Sequence, residues 1–415
     1  MMLISQRRYF LRFFITMLVI GTVIFMAVPI ANDYIYHFSV VNDVCKKIIV
    51  CEITLLLFWL LLMIAVNKGI KNLISKIVIL HCIENNLISV GAYIKKVGNY
   101  AVLPKIRIKE GTIRISLSNL RVRSIIERYL NSFSTALPQR YIVEDYFITT
   151  NNAEVQIVYS DIKNYKYEEY FVKDYISMAK STDAYNLYFD KKHIVDVRDY
   201  PHFLISGSSG SGKSYLANEL VIQTIAKAWQ VVILDIKRSY GLYKAYTDYV
   251  YEIDDIVNKL QQIESEMHQR LQAMQSELDN NPRSLAVDIG YKPMLVVVEE
   301  YISLLSSLDK KQREEVERIV KNLSVLARQV DIHLMIVMQS AGTENIQSTT
   351  RSNLTKVLLG NAQSNIMTAT FGTGVDIPKI NARLSKGEGL IQLDRISVLR
   401  VPKIDDIDDF KEVMF

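Results

Sequence analysis

Cysteine is nearly absent: Cys45, Cys51 and Cys82 are the only three in 415 residues, and no two have CxxC spacing. An odd, unpaired set of this kind excludes a disulfide framework and gives no sign of a zinc site, so the chain fits a reducing compartment. Proline is scarce, with 8 residues, and no long Pro/Gln-rich linker interrupts the sequence. With 49% hydrophobic against 22% charged residues, a disordered or collagenous chain is excluded as well. What remains is a globular chain long enough for two or three domains.

Its mean hydropathy of +0.11 is high for a wholly soluble protein. The excess lies in two apolar runs. Residues 13–31 form an uncharged stretch of 19 residues, and at 1.5 Å per residue it spans roughly 28 Å, the thickness of a bilayer core. A cleaved signal peptide is the competing reading, but its apolar region usually runs to only ~7–15 residues. Residues 48–66 form the second run, broken only by Glu52 near its start, where Lys46 and Lys47 or snorkelling can satisfy the carboxylate. Arg7, Arg8 and Arg12 precede the first run, and Lys68, Lys71 and Lys76 follow the second. The positive-inside bias then predicts a transmembrane hairpin over residues 1–75 with both ends cytoplasmic, making this a multi-pass protein of the cell membrane. Net charge is uneven too: residues 1–185 carry 22 Lys/Arg against 14 Asp/Glu, and residues 186–415 carry 27 against 30.

Residues 76–185 read as a small α/β domain. In LPKIRIKEGTIRISL (103–117), isoleucines alternate with polar residues across a Lys-Glu-Gly turn, which predicts a half-buried hairpin. A helix is expected over 120–133 and strands over 141–149 and 155–159. Lys105, Arg107, Lys109 and Arg114 would form a basic outward face, either a solvated sheet surface or a binding face for anionic lipid or nucleic acid.

Residues 186–415 carry the chemistry. A short apolar strand at 202–206 runs into Gly207-Ser208-Ser209-Gly210-Ser211-Gly212-Lys213-Ser214, followed from Tyr215 by a helix-like stretch to residue 228. This is the G-x-x-x-x-G-K-[ST] phosphate loop in its strand-to-helix context. Its glycines let backbone N–H groups surround a β-phosphate, Lys213 faces the β- and γ-phosphates of ATP, and the Ser214 hydroxyl suits Mg²⁺. A second apolar strand, 294–298, ends in Glu299-Glu300; the first carboxylate is placed to hold Mg²⁺ through water and the second to act as catalytic base. A pair of helix-start charges is the plainer reading. Further strands are expected at 231–236 and 334–338, the latter ending at Gln339, whose amide would sense the γ-phosphate at the carboxyl edge of a parallel sheet.

The order of these segments resembles the FtsK/SpoIIIE class of DNA-pumping motors, and within it the coupling proteins of Gram-positive conjugative elements. The likeness is carried by PHFLISGSSGSGKS, VVILDIKRSYGL, EMHQRLQAM, LVVVEEYISLL, SVLARQVDIHLMIVMQS and IQSTTRSNLTKVLLG in that order, and by the amino-terminal hairpin and the PKIRIKEGTIRISL segment. The resemblance implies an α/β chain with a RecA-like P-loop motor domain, assembled as a homo-oligomeric, hexameric ring with ATP between neighbours and DNA through the centre. It makes Arg328 the trans-acting finger, with Arg351 and Lys356 as weaker candidates, and turns Lys310, Lys311, Arg313 and the segment 342–352, including Arg351, toward DNA. It also implies a relaxase and membrane channel proteins as partners, beside the lipid bilayer. Two departures stand out: a glutamate at position 299 where the family usually has aspartate, and Ser340-Ala341 where it often has Arg-Pro.

Three functions follow as expectations. The first is an ATP-driven DNA translocase that couples a relaxase-bound DNA to a transfer channel. The second is an ATP-binding docking platform with little hydrolysis, which Glu299 and the missing Arg-Pro keep open. The third is a secretion ATPase that moves protein.

Overall fold

The computed structural model describes residues 69–109, 111–129, 133, 136–138, 140–149, 153–161, 167–281, 284, 286–342, 345–360, 363–373, 375 and 384–414, with scattered positions before residue 68. Most of both apolar runs, and with them the expected membrane hairpin, lies outside the described residues. Among the described residues no helix is long and apolar enough to cross a membrane. The chain divides into two compact units, the second beginning at Asn164. The boundary therefore falls at 163/164 rather than at 185/186, because the helix Val172–Ser181 buries Val172, Tyr175 and Ile176 in the core of the second unit.

In the first unit, β1 (Ile106–Lys109), β2 (Thr112–Ser116), β3 (Tyr141–Ile148) and β4 (Glu154–Asp161) form an antiparallel sheet in the order β1-β2-β4-β3. Ile106 pairs with Ile115 and Ile108 with Ile113, so the alternation seen in the sequence turns one face inward. That face packs on Ile79, Ile83 and Leu87 of α1 (Ile70–Ser89) and on Val122 and Ile126 of α2 (Leu120–Arg128). Helix α2 stops at Arg128, short of the expected residue 133. Lys105, Arg107, Lys109 and Arg114 are exposed on the opposite face, where Arg107 lies 3.7 Å from Glu154.

The second unit is built on an eight-stranded sheet. Its strands are β5 (Phe203–Gly207), β6 (Gln230–Asp235), β7 (Asp248–Val250), β8 (Met294–Glu299), β9 (Ile332–Met338), β10 (Thr355–Leu359), β11 (Glu388–Gln392) and β12 (Ile396–Arg400). The order is β7-β6-β8-β9-β5-β10-β11-β12, parallel as far as β10 and antiparallel thereafter. Because side chains alternate along a strand, each apolar run feeds two cores. Phe203, Ile205, Ile233, Val297 and Val337 face one side, with the helix Lys213–Ala226. Leu204, Leu234, Val298 and Ile336 face the other, with the helices Ile253–Asn280 and Lys310–Leu326. The result is a three-layer α/β/α unit in which β9 separates the phosphate-loop strand β5 from the acidic strand β8. Arg270, in the EMHQRLQAM stretch, is buried and acts within the fold: its guanidinium donates to the Lys292 and Val330 carbonyls at 3.0 and 3.1 Å and to Glu266 at 2.7 Å.

Candidate nucleotide site

Parallel strands point their carboxyl ends the same way, so β5, β6, β8 and β9 deliver Gly207, Asp235, Glu299 and Gln339 to one edge. The loop begins where the chain presses against β10: a Cβ on Gly207 would lie 2.4 Å from the Leu359 carbonyl oxygen, at a φ of +147°. Only glycine fits. Ser208, Ser209 and Gly210 are exposed, whereas Ser211, Gly212 and Lys213 are buried.

Lys213 opens the next helix and its Nζ donates to the Ser208 carbonyl at 3.1 Å, folding the cation over the loop where a phosphate would sit. Burial lowers its pKa, and the nearby Glu300 and Glu299 charges oppose that shift. The Ser211 hydroxyl is buried and has no hydrogen-bond partner among the described residues. Tyr215 contributes no side chain to the loop, because its hydroxyl is held at 2.9 Å by the Ile404 carbonyl and also accepts from the Ile404 N–H. Only its backbone can meet a nucleotide.

Across the site, Ser214 Oγ donates to Glu299 Oε1 at 3.1 Å, and the Tyr240 hydroxyl donates to Glu299 Oε2 at 2.9 Å. Burial raises the Glu299 pKa; the two hydroxyl donors pull it down, while Asp235 and Glu300 add to the rise. A hydroxyl and a carboxylate that converge in this way are hard oxygen donors suited to Mg²⁺. Among the described residues no group of three or more His, Cys, Asp or Glu could hold a metal ion.

Glu300 bridges β8 and the helix Tyr301–Ser307 in the left-handed conformation (φ 52°, ψ 50°), uncommon for a non-glycine residue. Its carboxylate lies 2.5 Å from Lys237 Nζ. Asp235 is occupied in shaping the following loop, accepting from the backbone N–H groups of Lys237 at 3.0 Å and Tyr240 at 3.0 Å and from the Tyr249 hydroxyl at 3.1 Å. Gln339 is exposed and directly follows Met338, which pairs with Ser206 at the start of the phosphate loop.

Arg328 is not brought to this edge. It is exposed on the short 3-10 turn Ala327–Val330, at the amino end of β9. Lys310 and Lys311 are exposed in the first turn of the helix Lys310–Leu326, behind an Asp309/Gln312 capping box. Arg313 pairs with Glu317 at 3.0 Å. The two segments that the resemblance turns toward DNA meet at a cleft of about 170 Å³ lined by Tyr301, Arg313, Glu317, Ile346, Gln347 and Thr350. Arg351 is engaged within the fold, donating to the carbonyls of Ala341 (3.2 Å) and Ala369. Lys356 is half-buried on β10 and donates to Gln392 at 3.1 Å, its pKa lowered by burial. Tyr240 went unrecognised in the sequence, since a tyrosine five residues past a strand end carries no signal until the loop is seen folding back on the acidic strand.

Residues 178–368 match the family described as "Helicase HerA, central domain". Among curated proteins, the chain is 28% identical over 142 residues to the "Ftsk domain-containing protein YdcQ" of Bacillus subtilis (strain 168), covering 34% of this chain and 30% of that protein. It is 25% identical over 223 residues to a "DNA translocase FtsK" of Campylobacter jejuni, covering 50% of this chain and 23% of that protein. The chain thus spans about a quarter to a third of the length of the curated relatives it matches. Among solved structures, the ATPgS-bound monomer of the pCW3 conjugation coupling protein TcpA shares the fold, with a TM-score of 0.50 at 17% identity over 75% of this chain and 92% of that one.

Proposed function

We propose that this chain, whose second unit is a P-loop ATPase domain of the HerA/FtsK type, is a membrane-anchored, ATP-driven DNA translocase of the conjugative coupling kind. The observation that carries the reading is the convergence of Lys213, Ser214, Glu299 and Glu300 on one edge of the sheet. It is supported by the relatives named DNA translocases and by the likeness in fold to a conjugation coupling protein.

In this reading the loop from Gly207 to Ser214 surrounds the β-phosphate and Lys213 leaves the Ser208 carbonyl to meet the β- and γ-phosphates. Ser214 and, through water, Glu299 would hold Mg²⁺, which would supply charge neutralisation at the γ-phosphoryl group. Glu300 leaves Lys237 and takes the proton of the attacking water, which Gln339 orients. Arg328 completes the site of a neighbouring subunit in a homo-hexameric ring. DNA passes along the cleft between the 310–313 and 345–352 segments, with Lys310, Lys311 and Arg313 making sequence-independent phosphate contacts. Arg351 acts there by holding the loop, since its guanidinium is engaged with two carbonyls. The apolar runs anchor the chain in the cell membrane with the ATPase domain in the cytoplasm, beside a relaxase and the channel proteins.

One observation favours a second reading, an ATP-binding docking platform. The base candidate Glu300 is tied to Lys237 at 2.5 Å. That pairing slows hydrolysis unless engagement of DNA or a neighbour rearranges it. ATP turnover by the full-length chain in detergent, with and without single- and double-stranded DNA, separates the readings. A translocase shows DNA-stimulated hydrolysis; a platform binds ATP without turnover; turnover indifferent to DNA points to a protein-moving ATPase.

A further inference from the structure

The phosphate loop has a neighbour from the far end of the chain. Gly387 N donates to the Ser211 carbonyl at 2.9 Å, so the turn before β11 lies directly on the loop. The approach needs glycine on both sides. A Cβ on Gly212, at φ +108°, would lie 3.0 Å from the Gly387 nitrogen, and Gly387 itself has φ +81°. The same imagined Cβ would lie 3.9 Å from Cγ of Lys386.

The turn is built independently of the lysine side chain. Ser385 N donates to Glu388 Oε2 at 2.7 Å, Glu388 N to the Ser385 carbonyl at 3.1 Å, and Gly360 N to the Glu388 carbonyl at 2.7 Å. Glu388 also forms a buried ion pair with Arg400 at 3.0 Å. Lys386 is exposed on this framework, and among the described residues no carboxylate pairs with it. The turn thus holds the Lys386 backbone and its Cγ beside Gly212, the residue before the helix that Lys213 opens.

Sheet order gives it a direction. The acidic strand β8 lies on one side of β5, while β10 and β11, which bracket the Lys386 turn, lie on the other. A triphosphate with its γ end toward Glu299 and Glu300 must therefore leave the loop, through its α-phosphate and ribose, on the Lys386 side. We propose that Lys386 is a second nucleotide-binding lysine, contacting the α-phosphate of the bound nucleoside di- or triphosphate. The inference rests on the phosphate-loop reading of residues 207–214.

An α-phosphate contact is common to ADP and ATP, whereas contacts from Glu300 or a finger concern the γ-phosphate alone. Equilibrium binding of ADP and of a non-hydrolysable ATP analogue to the full-length chain tests it. Lys386→Ala should weaken both by a similar factor, roughly tenfold for one charge-assisted contact. Lys386→Arg should restore most of the affinity, and neither variant should alter the unfolding temperature. Affinity unchanged in Lys386→Ala overturns the proposal, as does a loss confined to the ATP analogue or an equal loss in Lys386→Arg with lowered stability. If the unmodified chain binds neither nucleotide, the phosphate-loop reading itself fails, a result distinct from loss in the variant alone.

Discussion

Replacing Arg328 with alanine probes whether the site is shared between subunits. The residue sits at the amino end of β9 and Gln339 just past its carboxyl end. With seven residues in that strand, the two ends are separated by about 23 Å at ~3.3 Å per residue, beyond the reach of one arginine side chain. Arg328 therefore has no path to its own phosphate loop, and a finger role for it requires a neighbour's site. A trans-acting finger contributes ~10³-fold or more to phosphoryl transfer. Arg328→Ala rings should bind ATP normally and hydrolyse it slower by about that factor. Mixing Arg328→Ala with Glu300→Gln subunits in equal amounts gives about one head-to-tail interface in four with an intact base on one side and an intact arginine on the other. Steady-state hydrolysis should then rise well above either pure variant. If native mass measurements show mixed rings while activity stays at the level of the components, or if Arg328→Ala alone keeps full turnover, the trans assignment is wrong and Arg328 is a surface charge.

Three further outcomes are expected. Lys213→Ala should abolish nucleotide binding or turnover while leaving membrane insertion unchanged, and retained ATPase activity would remove the phosphate loop from the account. Glu300→Gln should bind ATP yet hydrolyse it at least ~10²-fold more slowly; should Glu299→Gln prove the more damaging change at saturating Mg²⁺, the roles of the pair are reversed. Tyr240→Phe removes a donor that lowers the Glu299 pKa. The carboxylate then takes up its proton at higher pH, so the acid limb of the pH–rate profile should move upward, and a limb that stays in place would show that Glu299 ionisation does not govern the rate.

The sequence made the sheet legible because its strands are buried on both faces and read as apolar runs, and the phosphate loop because its glycines, lysine and serine are contiguous. Glu299 and Glu300 were legible because they end such a run. Contacts made across the fold were not. Tyr240 reaches Glu299 across 59 residues and Gly387 reaches Ser211 from beyond β10, neither with any local signature. Arg351 looked free for DNA, because nothing in its neighbourhood reveals that carbonyls at positions 341 and 369 would enclose it. Nothing local in EMHQRLQAM marks Arg270 as interior, yet it is buried where three segments meet. The division at 163/164 was hidden because the helix Val172–Ser181 is as amphipathic as one that would cover the smaller sheet.

The proposed function turns on movement along DNA driven by ATP. Displacement of streptavidin from the end of biotinylated DNA, offered as single or double strand to the full-length chain, measures it most directly. Displacement should require ATP and Mg²⁺ and disappear in Lys213→Ala and Glu300→Gln. Intact streptavidin–DNA complexes on both substrates, under conditions where the chain binds DNA and turns over ATP, would contradict it.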